Sequence, residues 1–355
     1  MKITMLGRSS SGKTTYMSAL YDVLGDNSVR GFHIQPTAHT YPDSILKLGQ
    51  FADISFFNRG LIFPDGTVQT TVWTFDLFYY DRLAASFEWI DYRGGLLDNV
   101  LEGDAGSNGQ RSNQFHDLLT HISQSEAIIV FLDSIVLTHT KNPTLRKRQS
   151  GASAVSVLLR NFAIFFPNRP LNLVIVLTKA DSDLIPEQWK ANNYKMLLDL
   201  GRSLFADVVV KCHGEGVPWS AAIAPVGAIG SGNVSSTATM SENPLVPLTV
   251  QTSITNYPEP FNVAETLFYC IGQTLASMER RARTSLAHEQ LIIETAMEKS
   301  EGFARAFSVL TGHRDPKRIA HEAQQRRQRD FKLIVQIREH VQEIQRVAAR
   351  TVFPL

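Results

Sequence analysis

Short apolar runs punctuate the first two-thirds of the chain. Lys2–Leu6, Ala127–Asp133 and Leu171–Thr178 are too short for helices and are followed by turn or helix signals, so they read as strands buried on both faces. Apolar positions recur at helical spacing over Lys13–Leu24, Gln114–Ser123, Ala152–Phe166 and Pro186–Phe205. A further long helix starts near Asn262 and runs past Arg283. Val72–Tyr80 and Ser86–Asp91, joined by Asp81-Arg82, predict an antiparallel hairpin. Strands alternating with helices predict an α/β fold, with a mostly parallel sheet, one antiparallel strand and helices on both faces.

Three segments interrupt this pattern. Residues 26–70 contain Pro36, Pro42 and Pro64 and one plausible helix, Asp43–Phe57. Gly103–Asn113 is rich in Gly, Asn and Ser, and residues 227–260 form a Gly/Ser/Thr/Asn/Pro-rich stretch read as a loop or lid. Beyond Arg283 the patterning is purely helical, with breaks around Gly302 and Gly312–Pro316. The expected division is an α/β domain over 1–283 and a helical extension over 284–355. In that extension Ile334, Ile337, Val341, Ile344 and Ala348 make a heptad-like seam, read first as packing on its own protein. A partner or oligomerisation helix is the alternative. Membrane contact is not expected, because the seam lacks Trp and its polar face carries both signs.

Composition narrows the class. The 355 residues are 43% hydrophobic and 19% charged with a formal net charge of +1, so no global field recruits nucleic acid or an anionic membrane. Residues 279–355 hold 15 Lys+Arg against 10 Asp+Glu, a net of +5, leaving 20 against 24, or −4, for residues 1–278. The two cysteines, Cys212 and Cys270, lie far apart without metal-like spacing, which suits a reducing compartment. With no secretory signal at Met1-Lys2 and no apolar run long enough to span a bilayer, the expectation is a cytoplasmic protein.

The first chemistry-bearing motif directly follows the first strand. Gly7-Arg8-Ser9-Ser10-Ser11-Gly12-Lys13-Thr14 fits G-x-x-x-x-G-K-[ST] without mismatch. Its glycines let backbone N–H groups, those of Ser10, Ser11, Gly12, Lys13, Thr14 and Thr15 among them, wrap a phosphate at the start of a helix. Lys13 would reach the β- and γ-phosphates, and the Thr14 hydroxyl would coordinate Mg²⁺. A second motif, Thr178-Lys179-Ala180-Asp181, ends the strand from Leu171. A carboxylate only accepts hydrogen bonds, so Asp181 suits the N1–H and exocyclic amine of guanine. Adenine has no donor at N1 and would leave that charge unpaired, which argues against an ATPase. The stem of Lys179 would cover the base plane.

Taken in order with Asp91-Tyr92-Arg93-Gly94 and Ser220-Ala221, these motifs resemble the guanine-nucleotide boxes of the Ras-like, translation-factor-related P-loop GTPase superfamily, across about residues 1–283. The resemblance implies GTP or GDP as ligand, Mg²⁺ held by Thr14 and, through water, by Asp91, and a γ-phosphate sensed by the Gly94 N–H. It also implies base support from Ser220 and Ala221. The switch threonine has several candidates, Thr67, Thr70, Thr71 and Thr74, with Thr70 favoured as a metal and catalytic ligand and Thr71 next. Many members place Gln or His after Asp-x-x-Gly, whereas this chain has Gly95, which should slow intrinsic hydrolysis. Lys13 apart, Arg8, Arg93, Gln110 and Arg111 are candidate catalytic substitutes, with simple solvent exposure the competing reading for the arginines. The interval before Asp91 is long for a small GTPase, and with Gly103–Asn113 and 227–260 the insertion 26–70 gives the chain an overall appearance that resembles the prokaryotic double-GTPase group, which implies a protein partner, a second GTPase or a second copy of this chain. Two functions remain open at this point: a slow or partner-stimulated GTPase switch, and a non-catalytic guanine-nucleotide-binding module.

Overall fold

The computed structural model describes residues 1–26, 29–37, 71–91, 118–167, 169–214, 219–239, 248–300, 321–322, 324–325, 328, 342, 344–349 and 351–354. The expected helix at 43–57, the 103–113 loop and the seam positions Ile334, Ile337 and Val341 lie outside these residues. By contacts the chain forms two compact units, Met1–Ile271 with Val347–Leu355, and Gly272–Arg346.

The first unit is built on a sheet of eight strands in the order β10-β7-β6-β5-β1-β4-β3-β2. In chain order these are β1 (Lys2–Leu6), β2 (Phe32–Pro36), β3 (Thr71–Tyr79), β4 (Arg82–Asp91), β5 (Ala127–Asp133), β6 (Leu171–Thr178), β7 (Trp219–Pro225) and β10 (Phe353–Pro354). Strands β4, β1, β5, β6 and β7 are mutually parallel. The expected reversed strand is β3, antiparallel to both β4 and β2, and the two-residue β10 adds a second reversal against β7. Every residue of β6 is buried, as a strand covered on both faces requires.

Helices occupy both faces. The helices are α1 (Lys13–Tyr21), α2 (Ser134–His139), α3 (Pro143–Gln149), α4 (Ala152–Phe165), α5 (Glu187–Ala191), α6 (Lys195–Gly214) and α7 (Val263–Ser300), of which only the part up to Ile271 belongs to this unit. Along β5 the alternate residues Ile128, Val130 and Leu132 join a core with Leu158, Phe162, Leu204 and Phe205 of α4 and α6. Phe131, pointing the other way, meets the ring of Tyr16 on α1 at 5.1 Å. No helix among the described residues is long and apolar enough to cross a membrane.

Several elements differ from the sequence expectation, among them β4, which begins at Arg82 rather than Ser86. The helix expected over 13–24 gives way to a π-helical turn at Asp22–Asp26. The helix expected over 186–205 is broken by Asn193 and Tyr194, both at positive φ (50° and 58°), and resumes as α6 out to Gly214. The stretch 227–260 is not merely a loop: β8 (Val234–Thr239) and β9 (Thr249–Ile254) pair antiparallel in a two-stranded ribbon, Val234 opposite Ile254. Thr and Val on its strands favour pairing, and its flanking glycines masked that signal.

In the second unit, Gly272 of α7 lies where an added Cβ would come within 2.9 Å of Ile344 Cγ2, so glycine permits close approach there. Ile344, one of the seam residues, is fully buried.

Candidate functional site

The loop after β1 turns sharply because of two left-handed residues. Ser10 has φ 62° and Gly12 φ 86°, and the Ser11 amide closes the turn onto the Arg8 carbonyl at 3.2 Å. Gly12 then caps α1 with no side-chain hydrogen bond, leaving the positive end of the helix dipole facing the loop. Backbone crowding explains the first glycine, since a Cβ on Gly7 would sit 2.9 Å from the Phe131 carbonyl oxygen. The Lys13 ammonium donates to the carbonyls of Gly7 and Arg8 at 2.9 and 3.0 Å and so lies across the loop. Ser11 is 3% exposed, and its Oγ has no hydrogen-bond partner among the described residues. A buried hydroxyl left so is costly unless a ligand pairs with it.

The Thr178–Asp181 segment follows β6 and is fastened to that loop. Thr178 Oγ1 contacts the carbonyl oxygens of Ser11 at 2.7 Å and Leu132 at 3.0 Å. Lys179 adopts φ 56°, and its Nζ pairs with Asp133 Oδ2 at 2.5 Å. Asp133 ends β5 and caps α2 through the amides of Ile135 and Val136. One carboxylate therefore starts a helix and fixes the direction of Lys179.

Asp181 is 4% exposed. Its Oδ2 accepts from the amides of Ile229 and Gly230, each at 2.8 Å, and burial raises its carboxyl above the ordinary value while those amides oppose the rise. Gly227 packs so tightly that an added Cβ would lie 2.8 Å from Asp181 Cβ. Asp181 thus holds the segment after β7 as well as facing the cavity.

Together these parts enclose a cavity of about 410 Å³, within the range of small-molecule sites. Its lining comprises residues 9–16 of the first loop and helix, Ile135, then Thr178, Lys179, Asp181 and Ser182, then Val226, Ala228 and Ile229. Val234, Ser236, Val250 and Thr252 of the ribbon complete it. The cavity lies at the carboxyl ends of parallel strands beside β1 and β5, where the chain order reverses across the sheet, as ligand crevices of open α/β sheets do.

Not all expected residues meet there. Ser220 and Ala221 stand at the start of β7, opposite Asn172 and Leu173 at the start of β6, so they lie at the far edge of the sheet from Thr178–Asp181. Ser220 Oγ instead donates to Asn172 Oδ1 at 2.6 Å. The residues after the end of β7 take the place expected for them. Arg8 turns to the Gln149 carbonyl at 3.1 Å, its stem against Gly151, and does not line the cavity. Asp91 is fully buried at the end of β4, in register with Met5 of β1 and with Thr71, the second switch candidate. Thr74 is further along β3 opposite Glu88. Thr70, Arg93, Gly94, Gly95, Thr67, Gln110 and Arg111 lie outside the described residues. Among the described residues no cluster of His, Cys, Asp and Glu stands ready to hold a metal by itself.

Asp133, Ile229, Gly230 and the ribbon were missed from sequence. Asp133 carried a usable signal, an Asp at a strand end before a helical run. The others owe their place to chain return over a distance of some fifty residues.

Fold and cavity define a mixed α/β protein with a crevice at the carboxyl ends of its parallel strands. No protein-family model and no curated protein matches the chain. Among solved structures, the signal recognition particle receptor SRb-GTP/SRX complex from Chaetomium thermophilum is similar at 17% identity and a TM-score of 0.34, over 65% of this chain and 92% of that one.

Proposed function

We propose that this protein binds GTP or GDP with Mg²⁺ in the cavity and acts as a GTP-dependent switch, hydrolysing GTP to GDP and phosphate slowly or under a partner's stimulation. The observation that carries this reading is the convergence, on one cavity, of the Gly7–Thr14 loop with Lys13 and of the loop bearing Lys179 and Asp181. Lys13, the buried Ser11 hydroxyl and the start of α1 suit phosphates. The buried Asp181 carboxylate suits the donor edge of guanine.

Among the described residues Thr14, lining the cavity, and Asp91, buried at the end of β4, are the oxygen ligands for Mg²⁺, with Thr70, outside the described residues, the third. So few protein oxygens fit a cation that keeps most of its waters and binds phosphate. When bound, Mg²⁺ neutralises charge on the β- and γ-phosphate oxygens. Lys13 orients the phosphate chain, Lys179 and Asp181 orient the base, and Thr178 keeps the two loops in register.

The test is binding and turnover by purified, nucleotide-stripped protein. Asp181→Asn should lower GTP affinity at least tenfold and raise affinity for xanthosine triphosphate, whose 2-oxo group accepts where guanine donates. Its amide oxygen can still accept from Ile229 and Gly230, so the fold persists. Unchanged GTP affinity removes the guanine assignment. Lys13→Ala should weaken triphosphate binding about tenfold or more whichever base is bound. If it does not, the phosphate-loop assignment is wrong.

One observation favours the non-catalytic alternative. Arg8, a candidate for transition-state charge, is engaged with Gln149 away from the cavity. Tight GTP binding without phosphate release, alone or with added partner, would select that reading. The switch reading carries a protein partner, a second GTPase or a second copy of this chain, and no nucleic-acid or membrane ligand.

A further inference from the structure

The acceptor edge of a bound base needs a donor, and the segment expected to support it, Ser220-Ala221, lies at the other end of the sheet. The residues that take its place are largely engaged already. The Val226 amide donates to Leu177 at 2.8 Å, Gly227 to Phe261 at 3.3 Å, and Ile229 and Gly230 to Asp181.

The ribbon supplies an alternative. Val234 and Ser236 on β8, with Val250 and Thr252 on β9, are alternate residues on the face that lines the cavity, and Ser236 stands opposite Thr252. The ribbon is pinned beside the base-reading loop, because the Ser236 amide donates to both oxygens of Asp183 at 3.0 and 3.2 Å. A line of hydroxyls runs along it. The Leu184 amide donates to Ser182 Oγ at 3.1 Å, and Ser182 Oγ reaches Ser236 Oγ at 3.3 Å and Asp183 Oδ1 at 3.5 Å. Ser236 Oγ in turn donates to Thr252 Oγ1 at 3.2 Å. Thr252 accepts from Ser236, which leaves its own proton available to donate, and Thr252 lines the cavity. Donation along such a line strengthens the terminal donor.

Resting on the guanine-nucleotide reading above, we infer that the β8–β9 ribbon is a specificity element of this site: the Thr252 hydroxyl donates to the acceptor edge of the purine base, its O6 or N7, while Val234 and Val250 exclude water around it. Asp181 and Thr252 then read opposite polarities of one ligand, acceptor facing donor and donor facing acceptor.

The experiment is calorimetric titration of the full chain, as wild type, Thr252→Val and Thr252→Ser, with GTP, 7-deaza-GTP, 6-thio-GTP (whose sulfur is a poor acceptor in place of O6 and which keeps N1–H) and 2′-deoxy-GTP. Wild type should bind GTP about fivefold more tightly than whichever base analogue lacks or weakens the contacted acceptor. Thr252→Val should lose that factor for GTP and lose nothing for the same analogue, and Thr252→Ser, which keeps the hydroxyl, should retain it. GTP affinity unchanged in Thr252→Val overturns the inference, as does an equal loss for all four ligands. A loss that vanishes only with 2′-deoxy-GTP also overturns it, since the contact would then be to ribose. Wild type that binds no GTP overturns the guanine reading itself, an outcome distinct from normal GTP binding insensitive to Thr252. Should Thr252→Val fail to fold, the wild-type analogue series and Thr252→Ser decide the question.

Discussion

Thr178 shows how much one hydroxyl can fix. It joins the Ser11 carbonyl of the first loop to the end of β6, with Leu132 of β5 as second acceptor. Thr178→Val keeps the shape and strand propensity but leaves buried carbonyls short of a donor, at a cost of about 1–3 kcal/mol. Thermal unfolding should fall by several degrees, and nucleotide affinity should fall with it, because the two loops lose their tie. A stability loss without an affinity loss would show that Thr178 serves the sheet alone. Asp181 makes a different prediction. Burial lifts its carboxyl above 3.8, and only the ionised form accepts twice from a base. GTP affinity should therefore be full well above the raised value and decline as the pH falls toward it, beginning above pH 3.8. Folding has the opposite sign: the protonated form is favoured in the fold, and that contribution is lost as the pH rises through the raised value. Affinity measured across the acid range for wild type and Asp181→Asn separates this dependence from titration of the nucleotide, since the variant should lack it.

At the scale of elements, strands were the most legible part. The bounds of β1, β5 and β6 follow directly from short apolar runs, because strands buried on both faces read as near-continuous apolar stretches rather than as alternation. Helices were less legible at their ends. Asn193 and Tyr194 adopt positive φ and divide α5 from α6, a break that apolar periodicity does not announce. The ribbon was hidden because its strands are short, rich in Ser and Thr and flanked by glycine, a composition shared with loops. Its attachment is a carboxylate, so Asp183→Ala should loosen it: amide exchange across β8 and β9 should speed up at least tenfold while β5 and β6 stay protected. Unchanged exchange at Ser236 would show that strand pairing alone holds the ribbon. Gly230, at φ 98° with an added Cβ 2.5 Å from the Glu259 carbonyl, explains why this segment can turn back toward Asp181.

At the scale of the whole molecule, the chain closes on itself. Tyr16, directly behind the first loop, donates to the Val263 carbonyl at 2.9 Å and meets Thr266 Oγ1 at 2.5 Å, and burial holds its phenol protonated. The helix that starts at the loop is thereby joined to the start of α7, some 250 residues later. The last residues, Val347–Leu355, return to the first unit, where Phe353 pairs with Ile223 of β7. Sequence patterning placed a helical extension from 284 onward, because hydrophobic periodicity reports helix type and carries no information on which body a helix end joins.

The sequence by itself determined the local chemistry: the glycine-rich loop between strand and helix, the Thr-Lys-x-Asp turn, the buried strands and hence the parallel α/β class. These depend on residue type and near-neighbour spacing, which the chain states directly. Only the tertiary structure decided who faces whom. It removed Ser220 and Ala221 from the site because strand register puts them at the wrong end of the sheet. It added Asp133, Ile229, Gly230 and the ribbon because long-range backbone pairing brings them to Asp181 and Lys179. Contacts between residues tens of positions apart follow from packing and register, quantities that are properties of the folded whole.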